Sequence, residues 1–184
     1  MGTAPSSTAT VVLLVGPGTD GLLRDLDALP NVDARPGTGP GTHPSASTYL
    51  LHDADPLEHV ANAWIEFFED RATHGALDVE IETALGVFRR GEASLPDYYV
   101  VLEPESAPVN WKHWWLGVLP HAAPARVLPS ASDAGAVRRL LARLPQGRPF
   151  PDPASWLPDV RFSVPDRIGL VLAGRCPRPP PGRY

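Results

Sequence analysis

The chain has little cysteine, little lysine and no long apolar run. Its 184 residues include one cysteine, Cys176, so no disulfide can form within the chain, which suits a reducing compartment. No stretch approaches the ~20 consecutive apolar residues that a membrane span needs. Residues 1–10 also lack the basic flank and apolar core of a secretion signal. We therefore expect a cytoplasmic protein with no membrane partner.

Acidic residues outnumber basic ones, and lysine occurs once, as Lys112, beside fifteen arginines. This arginine use, together with 23 prolines, is typical of high-GC bacteria. The net charge is -5, whereas nucleic-acid binding needs a concentrated basic surface, so we expect no nucleic-acid partner. Residues 1–92 carry a net charge of -9 and residues 93–184 a net charge of +4. That asymmetry fits either two solvated faces of one domain or steered association with a partner.

Along the chain, continuous apolar runs alternate with segments in which apolar residues recur at helical spacing. β-Branched and aromatic runs predict strands at 10–15, 32–35, 47–51, 98–102 and 125–128. Leucine-rich spacings predict helices at 22–29, 56–74, 77–88 and 133–144. Gly75 is expected to end the second helix and Ser132 to cap the last, while the fully apolar run at 98–102 is expected at the centre of the sheet. This alternation predicts an α/β fold, a single three-layer Rossmann-like or flavodoxin-like domain with a mostly parallel sheet.

Composition divides the chain into three predicted parts. Residues 1–9 are small and polar and predict a flexible leader, and residues 10–145 form the α/β domain. The last 40 residues contain ten prolines, so residues 146–184 are predicted to be a proline-rich C-terminal extension that wraps the domain. Its last ten residues are expected to be disordered. An edge hairpin within the extension is predicted from the alternation of Val160, Phe162 and Val164.

A glycine-rich turn follows the first predicted strand. Gly16, Gly18 and Gly21 form a G-x-G-x-x-G pattern between a strand and a helix, where backbone N–H groups can bind a pyrophosphate. Pro17 removes one N–H donor, and Asp20 places a negative charge where a phosphate would lie. The three glycines are candidate cofactor-binding residues, although a tight turn into a helix explains them as well.

Two aspartates follow the third predicted strand. Asp53 and Asp55 carry hard oxygen ligands at the carboxyl end of a strand and are candidate ligands for Mg²⁺. The neighbouring imidazoles of His52 and His59 would shift the preference towards a transition metal. The rival interpretation is local, because Asp55 followed by Pro56 is a typical helix start in which the aspartate is the cap.

Acidic residues also follow the fourth predicted strand. Glu103 and Glu105 come directly after it, and His113 lies a few residues further on. Asp53, Glu103 and His113 are the candidate catalytic residues, since carboxylates and imidazole are the usual general acids and bases. Sequence spacing in a loop does not fix how far apart these groups lie in space.

Three of the five tryptophans are crowded into this same region. Trp111, Trp114 and Trp115, with His113 between them, are candidate partner-binding residues, because tryptophan is enriched at interfaces. Tryptophan is equally suited to a core. Core packing, partner contact and a water-excluding wall around a catalytic site are therefore three alternatives for this cluster, in that order of preference.

The commonest catalytic signatures are missing from the sequence. No serine lies in a nucleophile elbow, no lysine in a Walker loop and no cysteine in a basic neighbourhood. We expect a non-catalytic binding or regulatory accessory protein whose aromatic surface contacts another protein or a second copy, with no cofactor. The alternative is a small metal-dependent enzyme that acts on a nucleotide or phosphate ester. Its site would lie at the carboxyl edge of the sheet, where the loops after parallel strands gather.

Overall fold

A computed structural model describes residues 9–37, 47–145 and 149–163. Its five strands are β1 Thr10–Val15, β2 Val32–Arg35, β3 Tyr49–His52, β4 Tyr98–Leu102 and β5 Val127–Ser130. They form one sheet in the order β2-β3-β1-β4-β5, and every neighbouring pair is parallel. Helices cover both faces of this sheet, so the predicted three-layer fold of the Rossmann-like or flavodoxin-like kind is confirmed.

The middle strand is β1 rather than β4. β1 pairs with β3 on one side and β4 on the other, in registers that set Leu13 beside both His52 and Tyr99. The expectation that residues 98–102 form the centre of the sheet was therefore wrong. β4 is nevertheless buried along its whole length, because helices cover both of its faces. A continuous apolar run reports that burial and not the position of a strand within the sheet.

In the part of the chain that the structure describes, six α-helices connect and flank the strands. Their bounds are α1 Thr19–Asp27, α2 Glu58–Phe68, α3 His74–Arg89, α4 Val109–His113, α5 Leu119–Ala122 and α6 Ala134–Leu141. α1 and α6 pack on one face of the sheet, and α2, α3, α4 and α5 pack on the other. Within the described ranges no helix combines the length and the apolar content that a membrane crossing requires.

Alternation along the strands divides the buried side chains between two faces. The first, here the aliphatic face, consists of Val12, Leu14, Leu22, Leu23, Leu26, Leu51, Tyr98, Val100, Leu102, Val137 and Leu141. The second, here the aromatic face, includes Leu13, Val15, Trp64, Tyr99, Val101, Trp114, Trp115 and Phe150. The two faces share β1 and β4 as their common wall.

The start and end of α2 differ from prediction for local reasons. Asp55 Oδ1 accepts the Leu57 N–H at 2.9 Å, which closes a turn before the helix, so α2 begins at Glu58, two residues later than a cap at Asp55 would place it. The helix ends at Phe68 and not at Gly75. Asp70, in the left-handed region with φ of 56°, turns the chain towards α3.

The last helix also uses a different cap from the one predicted. Asp133 accepts the Ala136 N–H at 2.8 Å and begins α6. The backbone N–H of Ser132, the predicted cap, instead donates to Glu103 Oε1 at 2.8 Å. Aspartate and serine are nearly equal as caps, so sequence alone could not separate two candidates one residue apart.

Residues 109–122 form one interrupted helix, in which a π-helical segment, Trp114–Val118, joins α4 to α5. Pro120 supplies the reason, because it has no N–H to donate to the Leu116 carbonyl and its ring crowds that carbonyl. A wider π turn relieves the crowding. The interruption leaves Trp114 fully buried and Trp115 only 9% exposed.

Residues 149–163 cover part of the aromatic face. Leu157–Phe162 is a 3-10 helix, so the strand predicted at Val160 and Phe162 was wrong. Pro158 removes a ladder N–H and suits the first turn of a helix. The core gains Leu157 and Val160 from this segment, and Trp64 Nε1 donates to the Val160 carbonyl at 3.0 Å. The predicted leader, apart from residue 9, and the predicted hairpin beyond residue 163 lie outside the described residues.

Candidate ligand-binding cleft

The connections after β1 and β4 diverge at the carboxyl edge of the sheet. The chain leaves β1 for α1 on the aliphatic face, and leaves β4 for α4 on the aromatic face. Such a switch point opens a crevice between two neighbouring strands. A cavity of about 450 Å³ occupies it. The described residues that line it are Leu14, Val15, Gly16, Pro17, Thr19, Asp53, Asp55, Glu58, Ser106, Ala107, Pro108, Trp111 and Trp115.

Backbone packing explains the first two glycines of the loop. Gly16 has φ of +118°, and a Cβ there would lie 2.6 Å from the Leu102 carbonyl oxygen, closer than any side chain can approach. Gly18 precedes α1 with φ of +77°. Both conformations are ones that residues with a Cβ rarely adopt. The loop is therefore a tight turn fixed against the end of β4.

The third glycine lacks the role that a dinucleotide site would give it. In such sites the last glycine allows close packing of helix on strand. A Cβ on Gly21 would meet nothing within 4 Å. Pro17 offers no N–H, and its carbonyl accepts a hydrogen bond from Ser132 Oγ at 3.4 Å. Of the three predicted cofactor-binding glycines, Gly16 lines the cleft, whereas Gly18 and Gly21 are not among its described lining residues.

Asp55 is the most perturbed acid of the cleft. Its Oδ1 accepts hydrogen bonds from the Leu57 N–H at 2.9 Å and from the Tyr99 hydroxyl at 3.2 Å. Burial raises the pKa of Asp55 to about 6, the two donors oppose that shift, and the nearby charge of Glu58 adds to it. Burial, and next the charge of Asp55, raise the pKa of Tyr99 well above its ordinary value. Tyr99 therefore stays a neutral donor that orients the carboxylate.

Asp53 lies beside Asp55 but is held by a different contact. Its Oδ1 accepts the Gly37 N–H at 2.6 Å, which ties the end of β3 to the turn after β2. His52, the residue before it, is fully buried, and neither ring nitrogen has a hydrogen-bond partner among the described residues. Burial lowers the pKa of His52 to about 4, with a weaker opposing contribution from the Ala54 backbone. His52 is consequently a neutral core residue at physiological pH.

The predicted metal ligands form part of the cleft without completing a metal site. Asp53 and Asp55 both line it, and Glu58 adds a third carboxylate. Across the described ranges, no group of three His, Cys, Asp or Glu side chains is arranged to hold a metal ion. His59, which could have added an imidazole, is exposed on α2. Metal binding by Asp53 and Asp55 stays a prediction.

Two tryptophans form the aromatic wall of the cleft. Trp111 and Trp115 lie one helical turn apart, and their ring centroids are 4.9 Å apart with an interplanar angle of 36°. Trp114 points into the core, where its ring lies 5.7 Å from that of Trp64. Of the predicted partner-binding residues, Trp114 and Trp115 are thus buried, whereas Trp111 and His113 keep partial exposure. Contact with a protein partner stays a prediction for those two.

The structure does not gather the predicted catalytic residues in the cleft. Asp53 lines it, but Glu103 and His113 are not among the described residues that do. Glu103 has a left-handed φ of 43°, and its carboxylate accepts the Ser132 N–H, which links the ends of β4 and β5. His113 Nδ1 is buried without a partner among the described residues. The catalytic assignment of Glu103 and His113 therefore stays a prediction that the cleft does not support.

Several cleft residues were not singled out from the sequence. Glu58 follows Asp55 by three residues, and that helical spacing could have indicated a shared side of the first turn. Ser106 to Pro108 follow the 3-10 turn after β4, and no sequence signal predicts how such a loop folds back over the edge. No family model, curated protein or solved structure matches the chain.

Proposed function

We propose that this protein is a non-catalytic binding protein, an accessory or regulatory component that takes a small organic molecule in the cleft between β1 and β4. The observation that carries the proposal is the cavity of about 450 Å³ at the switch point of the sheet. Ligand sites in open α/β sheets lie at this place, and ligand pockets are typically of this size. The mostly apolar lining with a few convergent carboxylates also fits a ligand pocket.

The chemistry of the lining favours binding over catalysis. No cysteine, lysine or histidine is among the described residues that line the cleft. Its two hydroxyl side chains are Thr19 and Ser106, and Ser106 Oγ donates to the Glu103 carbonyl at 2.8 Å. A nucleophile would need an adjacent general base, and among the described lining residues no hydrogen bond joins a hydroxyl to a carboxylate. Trp111 and Trp115 contribute a wall to this cleft.

A fragment screen by protein-observed NMR tests the proposal. A library that contains cationic, neutral and anionic fragments is added to uniformly labelled protein. We expect the binding fragments to shift the indole signal of Trp111 and backbone signals of Gly16 and Ala107 more than those of α6. A cleft of this size and lining should bind fragments with ordinary ligand efficiency.

A matched pair of variants separates the cleft from the rest of the surface. Ser106→Trp places an indole over the mouth of the cleft, whereas Ser94→Trp adds the same side chain at an exposed loop position away from it. Fragment binding should be lost in Ser106→Trp and kept in Ser94→Trp. Equal binding to both variants, or signals that move at another surface, would overturn the proposed function.

A further inference from the structure

We propose that the ligand of this cleft is an organic cation, an ammonium or substituted ammonium group joined to an apolar body. This inference rests on the proposed function of the same cleft and adds the chemical class of the ligand. It is carried by three carboxylates and two adjacent, tilted tryptophans that converge on one cavity, with no basic side chain among its described lining residues.

The cleft carries unbalanced negative charge. Asp53, Asp55 and Glu58 line it, and none of them forms an ion pair with a described arginine, lysine or histidine. An anionic ligand would meet all three carboxylates without a compensating side chain. Like charges repel each other, and the repulsion grows in the low dielectric of a cleft. A cationic ligand supplies the missing charge.

Two of the carboxylates are held ready for a ligand. Asp55 binds the Leu57 N–H and the Tyr99 hydroxyl through Oδ1, and Asp53 binds the Gly37 N–H through Oδ1. No described residue bonds to the Oδ2 atom of either side chain. Groups fixed in this way lose little conformational entropy when a ligand binds. Each offers one oriented oxygen to an N–H donor.

The tryptophan wall suits the same ligand. A cation within ~6 Å of an indole face is attracted by the ring quadrupole, and tryptophan is the strongest aromatic partner. Trp111 and Trp115 present tilted rings, beside the apolar surface of Val15, Ala107 and Pro108. An ammonium can therefore meet the carboxylates while its apolar body packs on the rings. The start of α1 at the other end of the cleft has no side-chain cap, but Asp20 lies in its first turn and offsets its preference for anions.

Three probes with the same ring and different charge test the inference. Benzylamine, benzyl alcohol and benzoate are titrated into the full chain at neutral pH, and the Trp111 indole signal reports binding. We expect benzylamine to bind ~10-fold more tightly than benzyl alcohol, and benzoate to bind most weakly. Equal affinities of benzylamine and benzyl alcohol at the cleft, or tighter binding of benzoate, would overturn the cation assignment and leave the proposed function standing.

A charge-matched pair of variants gives a second readout. Glu58→Gln removes one carboxylate of the cleft, and Glu66→Gln removes an exposed carboxylate from the same helix about two turns away. The affinity for benzylamine should fall ~3-fold in Glu58→Gln and stay constant in Glu66→Gln. The affinity for benzyl alcohol should change in neither. An equal loss in both variants would indicate a general field effect and contradict the site, and absence of any binding at the cleft would contradict the proposed function as well.

Discussion

The two faces of the sheet are built on different principles. The aliphatic face packs α1 and α6 on leucine and valine side chains, and none of its described members has an unsatisfied polar atom. The aromatic face holds buried polar atoms without partners in His52, Trp114 and Trp115, together with a π-helical segment. It also provides the tryptophan wall of the cleft.

This difference places the locally unfavourable features of the domain on its aromatic face. Unpartnered buried polar groups and π-helical segments both cost free energy, and both are concentrated near functional sites in proteins. Here they lie on the aromatic face, which borders the cleft through Val15, Ala107 and Trp115. The apolar area buried on both faces offsets these local costs.

The largest effect is expected where the two faces meet. Gly16→Ala would place a Cβ 2.6 Å from the Leu102 carbonyl oxygen and force a residue with a Cβ into φ of +118°. We expect a loss of about 4 kcal/mol in the free energy of unfolding, from backbone strain together with overpacking. Urea unfolding followed by circular dichroism measures it. A loss below ~1 kcal/mol would show that the loop moves away from β4 freely, in which case the cleft is not a rigid site.

The next effect concerns the buried imidazole of the aromatic face. His52 has an ordinary pKa of 6.5 and a pKa of about 4 in the folded protein. Between those values the unfolded chain binds a proton that the folded chain does not, so acidification destabilises the fold by about 3 kcal/mol in total. His52→Leu should remove this loss. At neutral pH it should also stabilise the fold by about 1 kcal/mol, because it deletes unsatisfied polar atoms.

Asp55 changes the stability of the fold in the opposite direction to His52, over an overlapping pH range. Its pKa is raised from 3.8 to about 6, so the folded chain binds the extra proton there, and stability falls as the pH rises through that range. Burial also raises the pKa of Asp97, so this residue contributes to the same loss of stability with rising pH. Urea unfolding between pH 4 and 7 should therefore show a shallow profile in the parent protein. The His52→Leu variant should become more stable at acid pH than at neutral pH, and the Asp55→Asn variant less stable at acid pH. Identical profiles for both variants would contradict these assignments.

Two buried tryptophans on the aromatic face give a finer comparison. Trp64 and Trp114 are both fully buried, but the Trp64 N–H donates to the Val160 carbonyl, whereas the Trp114 N–H has no partner among the described residues. Trp64→Phe leaves a carbonyl unpaired and Trp114→Phe does not. We expect Trp64→Phe to cost about 1 kcal/mol more free energy of unfolding. Equal losses would indicate that the two indoles differ in packing alone.

The success of the sequence predictions also differs between the aliphatic face and the aromatic face. The strands and the helix of the aliphatic face could be predicted, because burial in this layer depends on local periodicity. The signals were the apolar runs at 10–15 and 98–102 and the spacing of Leu22, Leu23 and Leu26. The gathering of loops at the carboxyl edge also followed from parallel topology. Two predictions were wrong here: the central position of β4, because burial does not report strand order, and the cap at Ser132, where two side chains compete for one helix start.

The aromatic face and the cleft depend on contacts that sequence spacing does not encode. Trp114 and Trp115 are neighbours in sequence and therefore point in different directions on the helix, but only the packing decides that Trp114 contacts Trp64 while Trp115 lines the cleft. Glu103 follows β4 directly, yet its carboxylate is used to join β4 to β5. Both outcomes are set by tertiary packing.

The smallest effect belongs to α1, on the aliphatic face. Gly21 lies in the first turn of this helix, it is exposed, and a Cβ there would meet nothing within 4 Å. Gly21→Ala should therefore raise the free energy of unfolding by about 0.5 kcal/mol, since alanine loses less backbone entropy on forming a helix. Benzylamine affinity should be unchanged, because Gly21 is not among the described residues that line the cleft. A loss of stability would show that the third glycine is required for packing, as in a dinucleotide site, and would reopen the phosphate-binding interpretation of the loop. Gain of stability with unaltered binding would show that helix propensity in α1 can be improved without any effect on the proposed ligand site.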